Sequence, residues 1–288
     1  MTLSVASAKI DGIETRYAVA GSGPPLLMFS PGGFAASMDA WETHGLYRRT
    51  RMLSQLQERF QCITFDKREA GESGGRVERV SWAHYVRQGV GLLDHLGLGR
   101  VHIMGACVGC SIAACIASAH RERVGGMVLY SPAGGVQYRR KQLERFRAHL
   151  AYAAEQGLAG VADLAATTDG NFTSDARLGP WVSVLRSDPD FAAQYRDLGS
   201  LQYQITVAAM AALLFDRDTV PGPEPDDLLV SDVPALIVPG EDASHAPSAA
   251  RYLQECLPIN EYWDVPVAAQ TAETAPARVM SFLGSVAL

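Results

Sequence analysis

Val101-His102-Ile103-Met104-Gly105-Ala106-Cys107-Val108-Gly109-Cys110 is the stretch on which the reading of this chain turns. A short strand-forming run, Val101–Met104, meets Gly-x-Cys-x-Gly, and a helix of small residues, Cys110–Ala119, follows. A strand-to-helix turn that tight holds its central residue in strained backbone, and a side chain at Gly105 or Gly109 would clash with the turn or the helix. The helix N-terminus then points its partial positive charge at Cys107, which favours a thiolate there. Two other readings of the same residues stand beside this one. Cys107 could serve as a small buried apolar residue, or Cys107-Val108-Gly109-Cys110 could work as a redox dithiol at a helix start.

Outward from this turn, short apolar runs closed by turn residues alternate with helical patterns. Ser4–Ile10 and Glu14–Ala20 flank Asp11-Gly12 as a hairpin, and Pro25–Ser30 ends in Pro31-Gly32-Gly33. Further buried strands are expected at Cys62–Phe65, Met127–Tyr130, Ala235–Val238 and, last, Tyr262–Val265. Helices are expected at Met52–Phe60 and at Trp82–Leu96, the latter with Gly97 as its C-cap. Strands alternating with helices imply an α/β chain with a mostly parallel sheet covered on both faces. Between about 134 and 228 the rhythm breaks. Gln137–Gln156, Leu158–Thr167 and Leu201–Phe215 read as helices with no strand between them, and the stretch closes on Pro221-Gly222-Pro223-Glu224-Pro225. This is read as a helical cap, residues 134–228, inserted after the sixth strand into a core made of 1–133 and 229–288. The basic residues Arg139, Arg140, Lys141, Arg145 and Arg147 on its first helix read as a solvated face, with an anion-attracting rim as the other reading.

The turn at Cys107 resembles the nucleophile elbow of the α/β-hydrolase superfamily, with Cys where that motif usually has Ser. Three more segments resemble the same superfamily in order: Leu26–Gly33, the strand and turn that supply half of an oxyanion hole; Phe65–Ser73, the turn after the fourth strand; and Val233–Asp242, the strand and loop that carry the catalytic acid. The resemblance covers nearly the whole chain. It implies an eight-stranded, mostly parallel sheet, with Cys107 as nucleophile and the Val108 N–H plus that of Gly32 or Gly33 as oxyanion donors. Pro31 has no N–H to give.

The sequence departs from that pattern in four places. Cys replaces Ser at 107, as in dienelactone hydrolases, and a thiolate needs less help from a base than a hydroxyl does. The histidine expected after the last strand is missing: Asp264–Glu273 holds none, and no His follows His245. His245, three residues after Asp242 in the loop beyond the Ala235 strand, is the substitute base, with His44 as rival and a surface or positioning role as the other reading. Asp242 lies one position short of the family's usual acid, where Ala243 stands, with Asp264 in reserve. Glu69 stands where the turn motif usually has Gly; it could tune Cys107 or touch substrate, or be an exposed turn residue paired with Arg68 or Lys67. Trp41 and Phe34 are read as pocket walls.

Composition narrows the function classes. The chain has 288 residues, 48% of them apolar, with 25 Lys and Arg against 31 Asp and Glu for a net charge of −6. That balance argues against nucleic acid as a partner. The longest apolar run, Val207–Phe215, is far short of the roughly 20 residues that span a bilayer. Met1–Gly12 shows no leader pattern. Five scattered cysteines are not a disulfide framework, and with the lack of a leader they point to a cytoplasmic protein with reduced thiols. No cofactor motif and no metal-ligand spacing stands out, so the expected partner is a small-molecule substrate, with no nucleic acid and no membrane and a homodimer left open. The leading expectation is a hydrolase of esters, lactones or thioesters that works through an acyl-thioester on Cys107. Acyl transfer, cyclisation or lyase chemistry on the same fold, or a non-catalytic ligand-binding homologue, is the alternative.

Overall fold

The computed structural model describes residues 4–288, so the first three residues of the N-terminal stretch lie outside it. Eight strands form one sheet: β1 Ser4–Ile10, β2 Ile13–Ala20, β3 Pro25–Phe29, β4 Gln61–Phe65, β5 Val101–Ala106, β6 Val124–Tyr130, β7 Ala235–Val238 and β8 Asn260–Tyr262. Their order across the sheet is β1-β2-β4-β3-β5-β6-β7-β8. The β1–β2 and β2–β4 pairs are antiparallel and every later pair is parallel.

The parallel strands are buried on both faces, which is why they read as unbroken apolar runs rather than alternating ones. Their side chains divide with period two between two cores. Leu27, Phe29, Ile63, Phe65, Ile103 and Leu129 face one side. Leu26, Met28, Cys62, Met104, Val128 and Tyr130 face the other. Two helices, α1 (Trp82–His95) and α2 (Gly109–Ala119), cover the first side. The short turns at Met52–Leu56 and the terminal helix Thr274–Ser285 cover the second. Each fully buried Leu or Ile contributes about 1.5–3 kcal/mol relative to exposure.

Between β6 and β7 the chain is helical. α3 (Val136–Thr167) is broken at Gly157, whose φ of 72° and ψ of 173° interrupt the expected pair of helices at the boundary the sequence suggested. Val182–Ser187, Pro189–Arg196 and α4 (Ser200–Leu214) follow. The Trp181 indole N–H donates to the Arg76 carbonyl at 2.8 Å and ties this layer to the sheet domain. The last strand is offset from expectation. It runs over Asn260–Tyr262 as an edge strand with only β7 to pair with, the Trp263 N–H still donates to the Ile237 carbonyl at 2.9 Å, and the chain then leaves the sheet.

The chain runs from β3 to β4 on one side and then crosses back to β5 on the other side of β3. The carboxyl ends of β3 and β5 thus flank the switch point, the place where open α/β sheets leave a crevice. Gly32 and Gly33 follow β3 there, and Cys107 follows β5.

Candidate active site

Cys107 holds a left-handed φ of 55°, the strained backbone expected of a side chain thrust out at a sharp turn. The flanking glycines are there for contact reasons. A Cβ on Gly105 would sit 2.3 Å from the Gly109 carbonyl oxygen, and one on Gly109 would sit 2.5 Å from that of Phe29. The turn is pinned by the Cys107 N–H donating to the Tyr130 carbonyl and the Ala133 N–H donating to the Cys107 carbonyl, both at 3.2 Å. Cys107 is partly exposed to the crevice. Cys110 lies beneath it, fully buried, its thiol donating to the Gly105 carbonyl at 3.1 Å. Burial pushes the Cys110 thiol well up. A buried, back-bonded thiol is a poor half of a redox pair, so the dithiol reading gains nothing from the geometry.

The loop after β7 supplies a carboxylate and an imidazole as one unit. Asp242 Oδ1 accepts from the N–H of Ser244 at 2.7 Å and of His245 at 3.0 Å, closing an Asx-type turn. The same carboxylate meets His245 Nδ1 at 3.0 and 2.9 Å. The Gly134 N–H donates to the Ser244 carbonyl at 3.0 Å, which docks this loop on the segment after β6. Gly240 is required for close approach, because a Cβ there would lie 2.4 Å from that of His245. The other ring nitrogen, His245 Nε2, is buried without an aligned hydrogen-bond partner. Burial lowers the basicity of this ring, but the neighbouring Cys107 sulfur and the Asp242 carboxylate outweigh it and raise its pKa to about 9. His245 and Cys107 line the same cavity. Asp242 itself is 68% exposed, so the pair is worth only about 0.2–1 kcal/mol in stability.

The crevice above Cys107 is a cavity of about 250 Å³. Cys107, Val108, Gly32, Gly33, Phe34 and His245 all line it. The N–H groups of Val108 and Gly33 have no backbone acceptor among the described residues, so both are free to donate. Phe34 also packs edge-on to Phe146 and Phe172, with centroids 5.4 and 5.3 Å away, and so joins the turn after β3 to the helical layer. His44 reaches the cavity too, but its hydrogen bond is to the Thr43 hydroxyl at 3.4 Å, with no carboxylate to orient it.

Two expected pocket residues are placed elsewhere. Trp41 is fully buried in the second core, edge-on to Tyr47, and does not wall the cavity. Glu69 is not an exposed turn residue. It is 1% exposed, has a left-handed φ of 64°, accepts from Arg68 Nε at 2.7 Å and stays out of the cavity. Lys67, two residues earlier, lines the cavity in its place, 4.5 Å from the centre of the Tyr85 ring. Asp264 pairs with Arg251 at 2.6 Å on the surface. Gln270, in the stretch where the resemblance puts a histidine, is fully buried; it accepts from the Tyr130 hydroxyl at 2.7 Å and donates to the Pro239 carbonyl at 3.1 Å.

No motif in the sequence marks Tyr47 or Tyr138. Tyr47 donates to the Tyr130 carbonyl at 3.4 Å beside the elbow. Tyr138, with Lys141, Gln142 and Arg145, brings one face of α3 to the cavity. Their i, i+3, i+4, i+7 spacing was the available signal, hidden because a polar stripe does not look like a buried face.

Residues 25–204 match the family described as the alpha/beta hydrolase fold. Over 127 residues, 44% of its length, the chain is 28% identical to the dihydrolipoyllysine-residue acetyltransferase component of the acetoin cleaving system of Cupriavidus necator. It spans about a third (32%) of that relative. The enol-lactonase of Burkholderia xenovorans superposes with a TM-score of 0.60 at 18% identity, over 97% of each chain. An esterase from a Rhodococcus species gives 0.61 at 18% identity, over 100% of each. At these identities the structural neighbours speak for the fold.

Proposed function

The chain belongs to the α/β-hydrolase family, and on that premise we propose that it hydrolyses an ester, lactone or thioester through an acyl-thioester on Cys107. The observation that carries the reading is the Asp242–His245 pair, whose ring lines the same cavity as Cys107, with the free backbone N–H groups of Val108 and Gly33 on that cavity too.

In this reading the Cys107 thiolate attacks the carbonyl carbon. The carbonyl electrons move to oxygen, which the N–H groups of Val108 and Gly33 stabilise, or that of Gly32 in place of Gly33. The tetrahedral centre collapses, the leaving alkoxide or thiolate takes the proton from His245 Nε2, and an acyl-thioester remains. Neutral His245 then removes a proton from water as it adds to that carbonyl, and collapse expels the Cys107 thiolate. Asp242 holds Nδ1–H so that Nε2 faces the sulfur throughout. The acyl-thioester is itself high in energy, which favours activated carbonyls over amides. Residues 134–228 act as the lid that shapes the substrate pocket.

Intact-mass spectrometry with p-nitrophenyl acetate tests this. A transient acetyl adduct forms on the wild type, none forms on Cys107→Ala, and on His245→Ala the adduct persists as deacylation falls by roughly 10²–10⁴. An adduct on Cys107→Ala, or unchanged deacylation in His245→Ala, sinks the assignment.

Acyl transfer is the second reading, and one feature favours it. A further cavity of about 230 Å³ adjoins His245, lined also by His44, Tyr47, Ser131 and Asp242. It leaves room beside the ring for an acceptor larger than water. Added alcohol or thiol acceptors that divert the acetyl group away from acetate would favour transfer.

A further inference from the structure

The cavity above Cys107 carries a charge pattern that ester hydrolysis does not require. Lys67, Lys141 and Arg145 reach it, and no Asp or Glu does. Lys141 is exposed and unpaired among the described residues. Lys67 is 6% exposed, with the Glu69 carboxylate 4.0 Å away. Arg145 stands apart. It is only 9% exposed, yet its acceptors are the side-chain oxygen of Gln142 and the Thr173 carbonyl at 3.3 Å, both neutral. No carboxylate lies within ion-pair distance of it among the described residues, although the protein has 31 acidic side chains to offer.

A buried guanidinium without a counter-ion is costly, and proteins normally pair such a group or leave it in water. Burial pulls its basicity down, with only the neighbouring Tyr138 hydroxyl acting the other way. Tyr138, Arg145 and Cys107 all line the same cavity. Much of the remaining wall is apolar, with Phe34, Trp82, Ile112, Leu214 and Phe215, and the neutral polar residues Gln142, Asn171, Thr173 and Ser244 also line it. A planar fork of N–H donors without a counter-ion and a thiol nucleophile on one cavity match a molecule that has a carboxylate as well as a reactive carbonyl.

We propose that the substrate carries a carboxylate beyond its scissile carbonyl, and that Arg145 of α3 binds this carboxylate with Lys141 and Lys67 adding to the field. The inference rests on Cys107 as the nucleophile, and it names the substrate class of that site. Of the basic cluster on α3, Arg145 turns inward and Lys141 borders the cavity while exposed to solvent; Arg139 pairs with Asp218 at 3.0 Å and Arg140 with Glu144 at 3.5 Å on the outside.

Two measurements on the full chain test the proposal separately from the chemistry. In the first, calorimetry compares glutaramate with glutaramide, which differ only in a carboxylate against an amide. The expectation is tighter binding of glutaramate by about tenfold or more. Arg145→Gln removes this preference and Arg145→Lys keeps part of it. Equal binding of the two compounds, or a preference that survives Arg145→Gln, overturns the proposal. In the second, the ratio of kcat/KM for mono-p-nitrophenyl glutarate over p-nitrophenyl pentanoate falls by about tenfold or more in Arg145→Gln; an unchanged ratio overturns it. Selective binding of glutaramate without any acyl adduct would leave the carboxylate site standing and remove the hydrolase reading. Turnover of both esters with no preference would do the reverse.

Discussion

The His245 ring is where the site's electrostatics can be read directly. Burial opposes its protonation, and the Cys107 sulfur and Asp242 more than offset this to give a pKa of about 9. Cys107→Ala takes the sulfur away, so the ring's NMR titration midpoint falls below the wild-type value; an unmoved midpoint would exclude the sulfur as a cause. The folded-state pKa lies above the 6.5 of a free imidazole, so the stability this ring contributes is complete below about pH 6.5 and lost as pH rises through about 9. Asp242 is mostly in water but also closes the Asx turn on the Ser244 and His245 N–H groups, so Asp242→Ala costs about 0.5–1.5 kcal/mol in denaturant unfolding. Its effect appears in deacylation instead, because the ring loses the partner that fixes its tautomer. A large loss of stability with unchanged deacylation would make Asp242 a structural residue only.

At the scale of elements, the elbow and the turn after β3 meet through backbone contacts that leave no room for a methyl group. Gly109→Ala pushes a Cβ into the Phe29 carbonyl. It is expected to destabilise the fold by more than about 3 kcal/mol, the cost of overpacking a backbone that cannot yield, seen as a lowered Tm. Phe34 joins this turn to the helical layer through Phe146 and Phe172. Phe34→Ala should therefore cost about 3–5 kcal/mol and loosen α3, read as faster amide exchange there than in β5. The strands were legible because a doubly buried strand has an unmistakable apolar signature, and the elbow because its glycines are sterically obligatory. Trp41 and Glu69 were not, since a sequence gives the residue type but not the face on which a turn presents it. His245 could be singled out from its spacing to Asp242, whereas the inward tilt of Arg145 depends on how α3 rolls over the sheet.

Two buried histidines among the described residues make the whole molecule sensitive to acid. His149, between the Arg177 carbonyl and the Tyr203 hydroxyl, and His102, on β5, are both pulled down to about 4 by burial. Unfolded, each takes a proton near 6.5, so stability is full above that value and is lost as pH falls from about 6.5 towards 4. Denaturant midpoints measured from pH 7 to 4 should drop steadily, and His149→Gln should flatten part of the drop; a flat wild-type profile would contradict this burial. The placement of Asp242 and His245 three residues apart has a consequence at this scale too. Their relative position is set by three covalent links and one Asx turn, not by two distant segments finding register across the domain. On the proposed reading, only the seating of this single loop against the elbow is left for the fold to set. The carboxyl-terminal segment, whose Gln270 is bound up in bracing Tyr130 and Pro239, then has no share in that alignment.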